Sequence, residues 1–405
     1  MLKNAFWMTL ANISQTISGI LIALLVGRSL GPAFLGDYSF SYAFGVLASI
    51  LINVGFPTLI VRNVAAHKDL HNKYFVNILF SKLALALVAI IFICIAGFLF
   101  KKDNFYLFVS INLAGLLSSF AVFFFMFLRA HEKMKPEGLV NTIVNISGAL
   151  AFLFLYAAGK MALINIIAVL VIKEVVRVFF AFFVYKRFFN AEFQKHLFKI
   201  HDSFEIAYNS LKFATNDFVN MLNLQIDVLM LGFMQTNTAV GYYSAALRFV
   251  NPFRMIVFSI SQAALPKLSY IWVNQREMFS RYFHKYLRYV IIGMIVISIP
   301  IFLNAHYLIE ILFGKNFSPS INLLKIFSIF LVFFSALPYL STSLYSRHKE
   351  SVVLRISIIC MVLNVIGNAV LIAMFSYYGA LIATVSVTVF SVIYSYHCCR
   401  RAVID

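Results

Sequence analysis

The residues able to do chemistry are few, and they sit in stretches too apolar for water. Asn216, Asn220, Asn223 and Asp227 recur within the segment 211–233. At 100° per residue they fall within about 60° of one another on a helix, forming one polar stripe. Asp217 flanks the stripe and Gln225 points away from it. Interhelical hydrogen bonding accounts for buried amides, but two carboxylates are more than such glue requires and favour a cavity lining. The segment 161–184 carries Lys173, Glu174 and Arg177. Glu174 and Arg177 have i,i+3 spacing for an ion pair. Lys173 is then surplus positive charge, unless the three form a purely local salt bridge. In the segment 241–265, Ser244, Arg248, Asn251, Ser259 and Gln262 gather near one helical face, and Pro252 should kink it. Snorkelling would rescue Arg248; Arg254 lies deeper. Arg28 and Arg62 end apolar stretches, where interfacial anchoring is the default role and a cavity mouth or gate the alternative.

Within apolar segments this reading counts three carboxylates, Glu174, Asp217 and Asp227, against four deep cations, Lys173, Arg177, Arg248 and Arg254. Ionisable groups at membrane depth are costly and normally face a cavity. Excess positive charge suits an anionic substrate, because arginine forks match phosphate and carboxylate. The helix stripe of Asn216, Asn220 and Asn223 suits sugar hydroxyls. Asp217, Asp227 or Glu174 would bind a coupling H⁺ or Na⁺, or else only neutralise arginine. No organic cofactor or resident metal is expected.

The elements that hold these residues follow from composition. Of 405 residues, 62% are hydrophobic and 12% charged, with mean hydropathy +0.90. An average soluble domain carries about a quarter charged residues, so neither a soluble globule nor a disordered chain fits. The apolar residues come in blocks long enough to span a bilayer as helices. Twelve spans are expected: 7–27, 38–60, 76–99, 105–128, 138–158, 161–184, 211–233, 241–265, 286–303, 321–345, 353–375 and 378–398. The first is read as a span rather than a cleaved signal peptide. The links at Ala158–Met161 and Ser376–Tyr377 are short enough to demand tight hairpins.

The net charge of +18 would suggest nucleic acid in a soluble protein. Here lysine and arginine gather at the N-terminus and in every second link, which by the positive-inside rule places both termini in the cytoplasm. Nucleic acid is therefore not an expected partner. The polar link of about 185–210 divides the chain into an N-terminal lobe, 1–184, and a C-terminal lobe, 211–405, each of six helices. No phosphate-binding loop appears, and the four cysteines have no metal-ligand spacing with histidine. Cys398–Cys399 reads as a helix end, with lipidation as the alternative. His306 and His397 read as lone solvated residues. An enzyme is not expected.

The two halves resemble each other. Gly36-Asp37-Tyr38-Ser39 aligns with Gly241-Tyr242-Tyr243-Ser244, Asn12 with Asp217 and Arg62 with Lys267. Further on, Arg129 to Lys133 stands opposite Arg347 to Glu350, and Asn145-Ile146-Ser147-Gly148 opposite Asn364-Val365-Ile366-Gly367. Six helices per half make this a parallel repeat, as in transporters whose substrate site lies between halves that rock.

The run Gly27-Arg28-Ser29-Leu30-Gly31-Pro32-Ala33-Phe34-Leu35-Gly36-Asp37-Tyr38-Ser39 resembles the signature of Wzx-type polysaccharide and O-antigen flippases. So do Leu59-Ile60-Val61-Arg62, Ile226 to Gly232, and Val240-Gly241-Tyr242-Tyr243-Ser244-Ala245-Ala246-Leu247-Arg248. That family lies in the multidrug/oligosaccharidyl-lipid/polysaccharide exporter superfamily. The resemblance implies an all-α polytopic membrane protein of twelve transmembrane helices in two six-helix lobes, V-shaped, in a prokaryotic cytoplasmic (inner) membrane. It also implies flipping of a polyprenyl-diphosphate-linked oligosaccharide to the outer leaflet for surface polysaccharide biosynthesis. Lipid II flippases of the superfamily have two further C-terminal helices, so peptidoglycan precursor is not the expected cargo.

On this reading Arg248, Arg254, Lys173 and Arg177 attract the diphosphate, the stripe on 211–233 meets sugars, and the polyprenyl tail stays in lipid. The partners expected are the lipid-linked oligosaccharide, membrane lipids, and the glycan polymerase and glycosyltransferases of the pathway. Two alternatives stand beside it: a cation- or proton-coupled multidrug antiporter of the same architecture, and a non-transport scaffold of a glycan-synthesis complex.

Overall fold

The computed structural model describes residues 2–189 and 197–404. Among these the regular structure is helical: α1 (Leu2–Asn53), α2 (Phe56–Ala66), α3 (His71–Phe100), α4 (Phe105–Ala130), α5 (Met134–Ala157), α6 (Leu163–Phe189), α7 (Ile200–Met234), α8 (Asn237–Asn274), α9 (Arg276–Leu303), α10 (Ala305–Leu312), α11 (Pro319–Tyr345) and α12 (Glu350–Ile404). Eight of the described helices are long and apolar enough to cross a membrane.

These helices do not correspond one to one with the expected spans. The first two expected spans are two helices joined across a kink within α1, at Gly31, whose φ of 82° is left-handed and which precedes Pro32. Glycine alone takes that backbone without strain, and proline then restarts the helix. The second span breaks again at Val54 and Gly55, both with positive φ, and resumes as α2 with Pro57 in its first turn. At the other end of the chain, α12 is interrupted by Ser376 (φ 52°, ψ −132°). A Cβ on Gly379 would overlap the backbone of Leu371, so the chain reverses there within a few residues. The tight link after α5 is closed by Gly159 at φ 65° and by Lys160 N–H donating to the Leu155 carbonyl at 2.9 Å.

Backbone packing divides the chain into two units: Met1–Ser29 with Asp37–Met221, and Leu30–Gly36 with Leu222–Asp405. In unit 1, α4 is the central helix and packs on α2, α3, α5 and α6. Its run Phe123-Phe124-Phe125-Met126-Phe127-Leu128 is buried against Phe75 and Tyr185. Arg129, at its end, forms a two-pronged pair with Glu137 of α5, at 2.8 and 2.5 Å. In unit 2, α11 takes the central place, packing on α8, α9 and α12. Each unit is thus organised around its own most buried helix, the fourth of the repeat.

Arg347, after α11, stands where Arg129 stands after α4, but it has no carboxylate partner among the described residues. It donates to the Cys399 carbonyl (2.6 Å) and Ser343 Oγ (2.8 Å), among the rings of Trp272, Phe279 and Phe283. Burial pulls its guanidinium below the ordinary arginine value, opposed by Cys399 and Tyr339.

Candidate functional site

Two buried polar clusters stand out, one in each unit, and each grows from the same position of the repeat. In unit 1 that position is Asn145 of α5. Its amide donates to Ser14 Oγ of α1 at 3.2 Å, and its carbonyl oxygen accepts from Arg177 Nη2 of α6 at 2.8 Å. Arg177 Nε lies 3.1 Å from Glu174, and Lys173 Nζ lies 3.2 Å from the other oxygen of the same carboxylate. The expected i,i+3 pair is therefore present, and Lys173 joins it rather than standing apart. A Cβ at Gly148 would fall against the Lys173 stem; glycine there makes room for the lysine. One carboxylate between two cations leaves about one unit of positive charge in a low-dielectric setting, where its field is strong.

In unit 2 the equivalent residue is Asn364 of α12. It accepts from Asn368 Nδ2 at 2.8 Å, and Asn368 also donates to Asp227 Oδ1 at 2.8 Å. Asp227, on α7, further accepts from Tyr243 of α8 (2.9 Å) and from Thr384 of α12 (2.6 Å). Its donors are all neutral. The carbonyl oxygen of Asn368 is buried with no hydrogen-bond partner, so the cluster holds an unmatched acceptor beside a carboxylate. Oxygen atoms of this kind, carboxylate, amide and hydroxyl, are ligands for a hard cation or a proton.

The remaining expected residues are dispersed. Arg254 is half-buried, its guanidinium 5.1 Å from the Phe334 ring centroid. Arg248 is half-buried without an ion-pair partner among the described residues. Asn220 is exposed, and Asn223 donates to the Ser357 carbonyl at 3.2 Å. The stripe on α7 thus divides between an exposed amide, a helix–helix contact and a buried carboxylate. The side chains of Asn216 and Asp217 lie outside the described residues. Arg28 and Arg62 are exposed. His306, expected to be lone, lies 3.4 Å from Glu310.

Two buried ion centres fall outside that list. Asp37 of the Gly36-Asp37-Tyr38-Ser39 motif accepts from Lys101 Nζ (2.9 Å) and Asn104 (2.6 Å), with Lys101 over the Phe40 ring. Lys82 of α3 is 1% exposed and donates to Asn53 Oδ1 and Ser119 Oγ. The count of four deep cations therefore requires correction: Lys82 is a fifth, hidden in the sequence by the long apolar run that surrounds it. Spacing along the sequence does not point to Asn368 or Thr384, and Tyr243 enters only as part of the motif Val240 to Arg248. The repeat already paired Asn145 with Asn364, and that pairing was the available signal.

The family described as "Polysaccharide biosynthesis protein" matches residues 1–272. The chain belongs to that family. The match takes in both sharp motifs, 27–39 and 226–248, and the MatE family also matches, over residues 214–370. Among curated proteins the chain is similar to the capsular polysaccharide biosynthesis protein CapF of Staphylococcus aureus, 25% identical over 98% of each chain. Among solved structures it is similar to the lipid II flippase MurJ in an inward closed conformation: TM-score 0.78, 16% identity, 97% of this chain and 87% of that one. It is likewise similar to an inward-facing multidrug resistance MATE family transporter: TM-score 0.77, 15% identity, 96% and 95%. At these identities the structures speak for the fold alone. This member of the polysaccharide biosynthesis family is an all-α, multi-pass membrane protein with the exporter-superfamily fold.

Proposed function

We propose that the protein is a flippase that carries a polyprenyl-diphosphate-linked oligosaccharide from the cytoplasmic to the outer leaflet of a prokaryotic inner membrane, by alternating access of two six-helix lobes, 1–184 and 211–405. The observation that carries this reading is the Lys173–Glu174–Arg177 cluster, a buried group with one carboxylate for two cations. A diphosphate is a ligand for such surplus charge, since an anion there completes what Glu174 leaves unbalanced. Arg248 and Arg254 supply further positive charge on α8. Family membership and the likeness to CapF support surface polysaccharide as the destination. Both termini then lie in the cytoplasm, and glycan polymerase and glycosyltransferases act before and after this step.

The Asp227 cluster is the counterpart for a coupling ion, H⁺ or Na⁺. Its carboxylate is met only by neutral donors, and the Asn368 oxygen is unmatched. A cation there neutralises Asp227 and changes how it holds α8 and α12.

Delivery of labelled lipid-linked oligosaccharide across proteoliposome bilayers tests the reading. Lys173→Ala with Arg177→Ala, at normal expression, should abolish delivery. Full-rate delivery by that variant would overturn the role of the cluster. Organic-cation binding that is lost in Asp227→Asn, without any lipid-linked cargo moving, would instead establish a drug antiporter. Full polysaccharide assembly after all these charges are neutralised would establish a scaffold.

A further inference from the structure

Lys82 sits about 16 Å along α3 from His71, taking 1.5 Å per residue, and its side chain is closed off from solvent. Its Nζ donates to Asn53 Oδ1 at 2.8 Å and to Ser119 Oγ at 2.7 Å, and Ser119 in turn donates to Asn53 Oδ1 at 2.9 Å. The Phe120 ring lies 5.4 Å away. No carboxylate pairs with it among the described residues. On the surrounding elements of unit 1 the charged groups are engaged elsewhere or exposed. Asp37 of α1 is held by Lys101, Arg129 of α4 by Glu137, and Lys73 of α3 by Asp202. Arg62 of α2 and Glu205 and Lys212 of α7 are exposed, and His71 of α3 is bonded to the Tyr185 hydroxyl.

The pocket therefore offers two acceptors, Asn53 and Ser119. A neutral amine has two N–H groups and an ammonium has three. The first acceptor is the last residue of α1, immediately before the break at Val54 and Gly55. There the final carbonyls of α1 lose their helical partners, while a Cβ at Gly55 would meet the backbone of Ser210 and Ala214 on α7. The lysine thus grips a helix discontinuity against which α7 packs closely, through its backbone and the Phe213 Cβ.

We propose that Lys82 is a proton-binding site of unit 1 whose occupancy sets the geometry of the α1–α2 break. The amine takes a proton from the aqueous phase and becomes an ammonium. The added N–H requires a third acceptor, and the freed carbonyls at the end of α1 supply it, drawing the break closed. Loss of that proton to water restores the two-bond arrangement. Unpaired ionisable groups at membrane depth commonly serve proton movement. This site is separate from the Asp227 cluster and does not depend on which cargo is carried.

The test uses the full chain in nanodiscs with ¹⁵N-labelled lysine and no cargo, so its failure is distinct from failure of the flippase reading. The Lys82 Nζ signal, assigned by its loss in Lys82→Gln, should switch between amine and ammonium forms within the pH range where the protein stays folded. Amide exchange protection across Asn53–Leu59, corrected for intrinsic rates, should change at least about tenfold through that switch (a factor of ten is 1.4 kcal/mol). It should be flat in Lys82→Gln and in Lys82→Arg, with these pinned at opposite ends of the wild-type range. A Lys82 signal that stays ammonium throughout would overturn the proposal. So would protection that is flat in wild type, or that changes equally in Lys82→Gln. If the arginine variant does not fold, the wild-type titration and the glutamine variant decide the matter.

Discussion

Gly36 and Gly241, the repeat-equivalent glycines of the two halves, meet backbone to backbone within unit 2. A Cβ on Gly36 would overlap the Asn237 carbonyl and stand 3.0 Å from the Gly241 nitrogen, and one on Gly241 would overlap the Pro32 carbonyl. The two copies of the motif are thus each other's packing surface, and a methyl group at either place has nowhere to go.

Gly36→Ala and Gly241→Ala should each lower stability, by about 1–3 kcal/mol for overpacking against rigid backbone. Gly19→Ala, where nothing lies within 4 Å, should not. Thermal unfolding in detergent, followed by intrinsic fluorescence, compares the three; equal midpoints for all of them would contradict the close approach.

Asp227→Asn should abolish any stabilisation of the protein by Na⁺ or by low pH while leaving the fold intact, since its one amide oxygen can still accept from both Tyr243 and Thr384, which share one carboxylate oxygen in the wild type. Asn368→Ala should weaken the same response by removing an oxygen from the cluster. The measurement is the melting midpoint against Na⁺ concentration and against pH. A Na⁺ or pH response as large in both variants as in wild type would place the ion elsewhere.

The repeat-equivalent amides should fail differently. Asn145→Ala removes the bond that orients Arg177, so cargo delivery should fall at least about tenfold with the ion response retained, the size expected for losing a bond to a charged group. Asn364→Ala removes the acceptor that positions Asn368 and should blunt the ion response first. Identical losses in both assays for the two variants would argue against separate roles.

Glu137→Gln should destabilise the end of unit 1 by about 1–3 kcal/mol, because Arg129 keeps its donors and loses the charge that matched them. Arg347→Ala should cost a similar amount through loss of the Cys399 carbonyl bond and of the aromatic contacts. Chemical unfolding with urea in mild detergent checks both; an unchanged midpoint in Arg347→Ala would mean that the aromatic cage holds without its cation.

Much of this is legible in the sequence. Long apolar blocks announce membrane helices, because no other element hides its backbone in lipid. The i,i+3 geometry of Glu174 and Arg177 follows from one helix turn, so it was readable from spacing. The Asp227 cluster was not, because Tyr243, Asn368 and Thr384 lie 16, 141 and 157 residues away along the chain. Only folding brings them together, although the pairing of Asn145 with Asn364 marked where to look. Lys82 stayed hidden for the opposite reason. It stands at the edge of the apolar run from Leu83 to Phe100, and one lysine there does not interrupt a span of that length. The breaks at Gly31 and Ser376 fall between expected spans, whereas the break at Val54 and Gly55 interrupts the expected span 38–60.

The turn at Ser376 bears on how the chain enters its membrane. One non-helical residue joins the two arms of α12, and with Gly379 backed onto Leu371 there is no slack between them. The first arm has no polar tether on which to wait in the bilayer while the second is made. Entry of the two arms into the bilayer is thereby coupled, as a paired insertion rather than two independent ones.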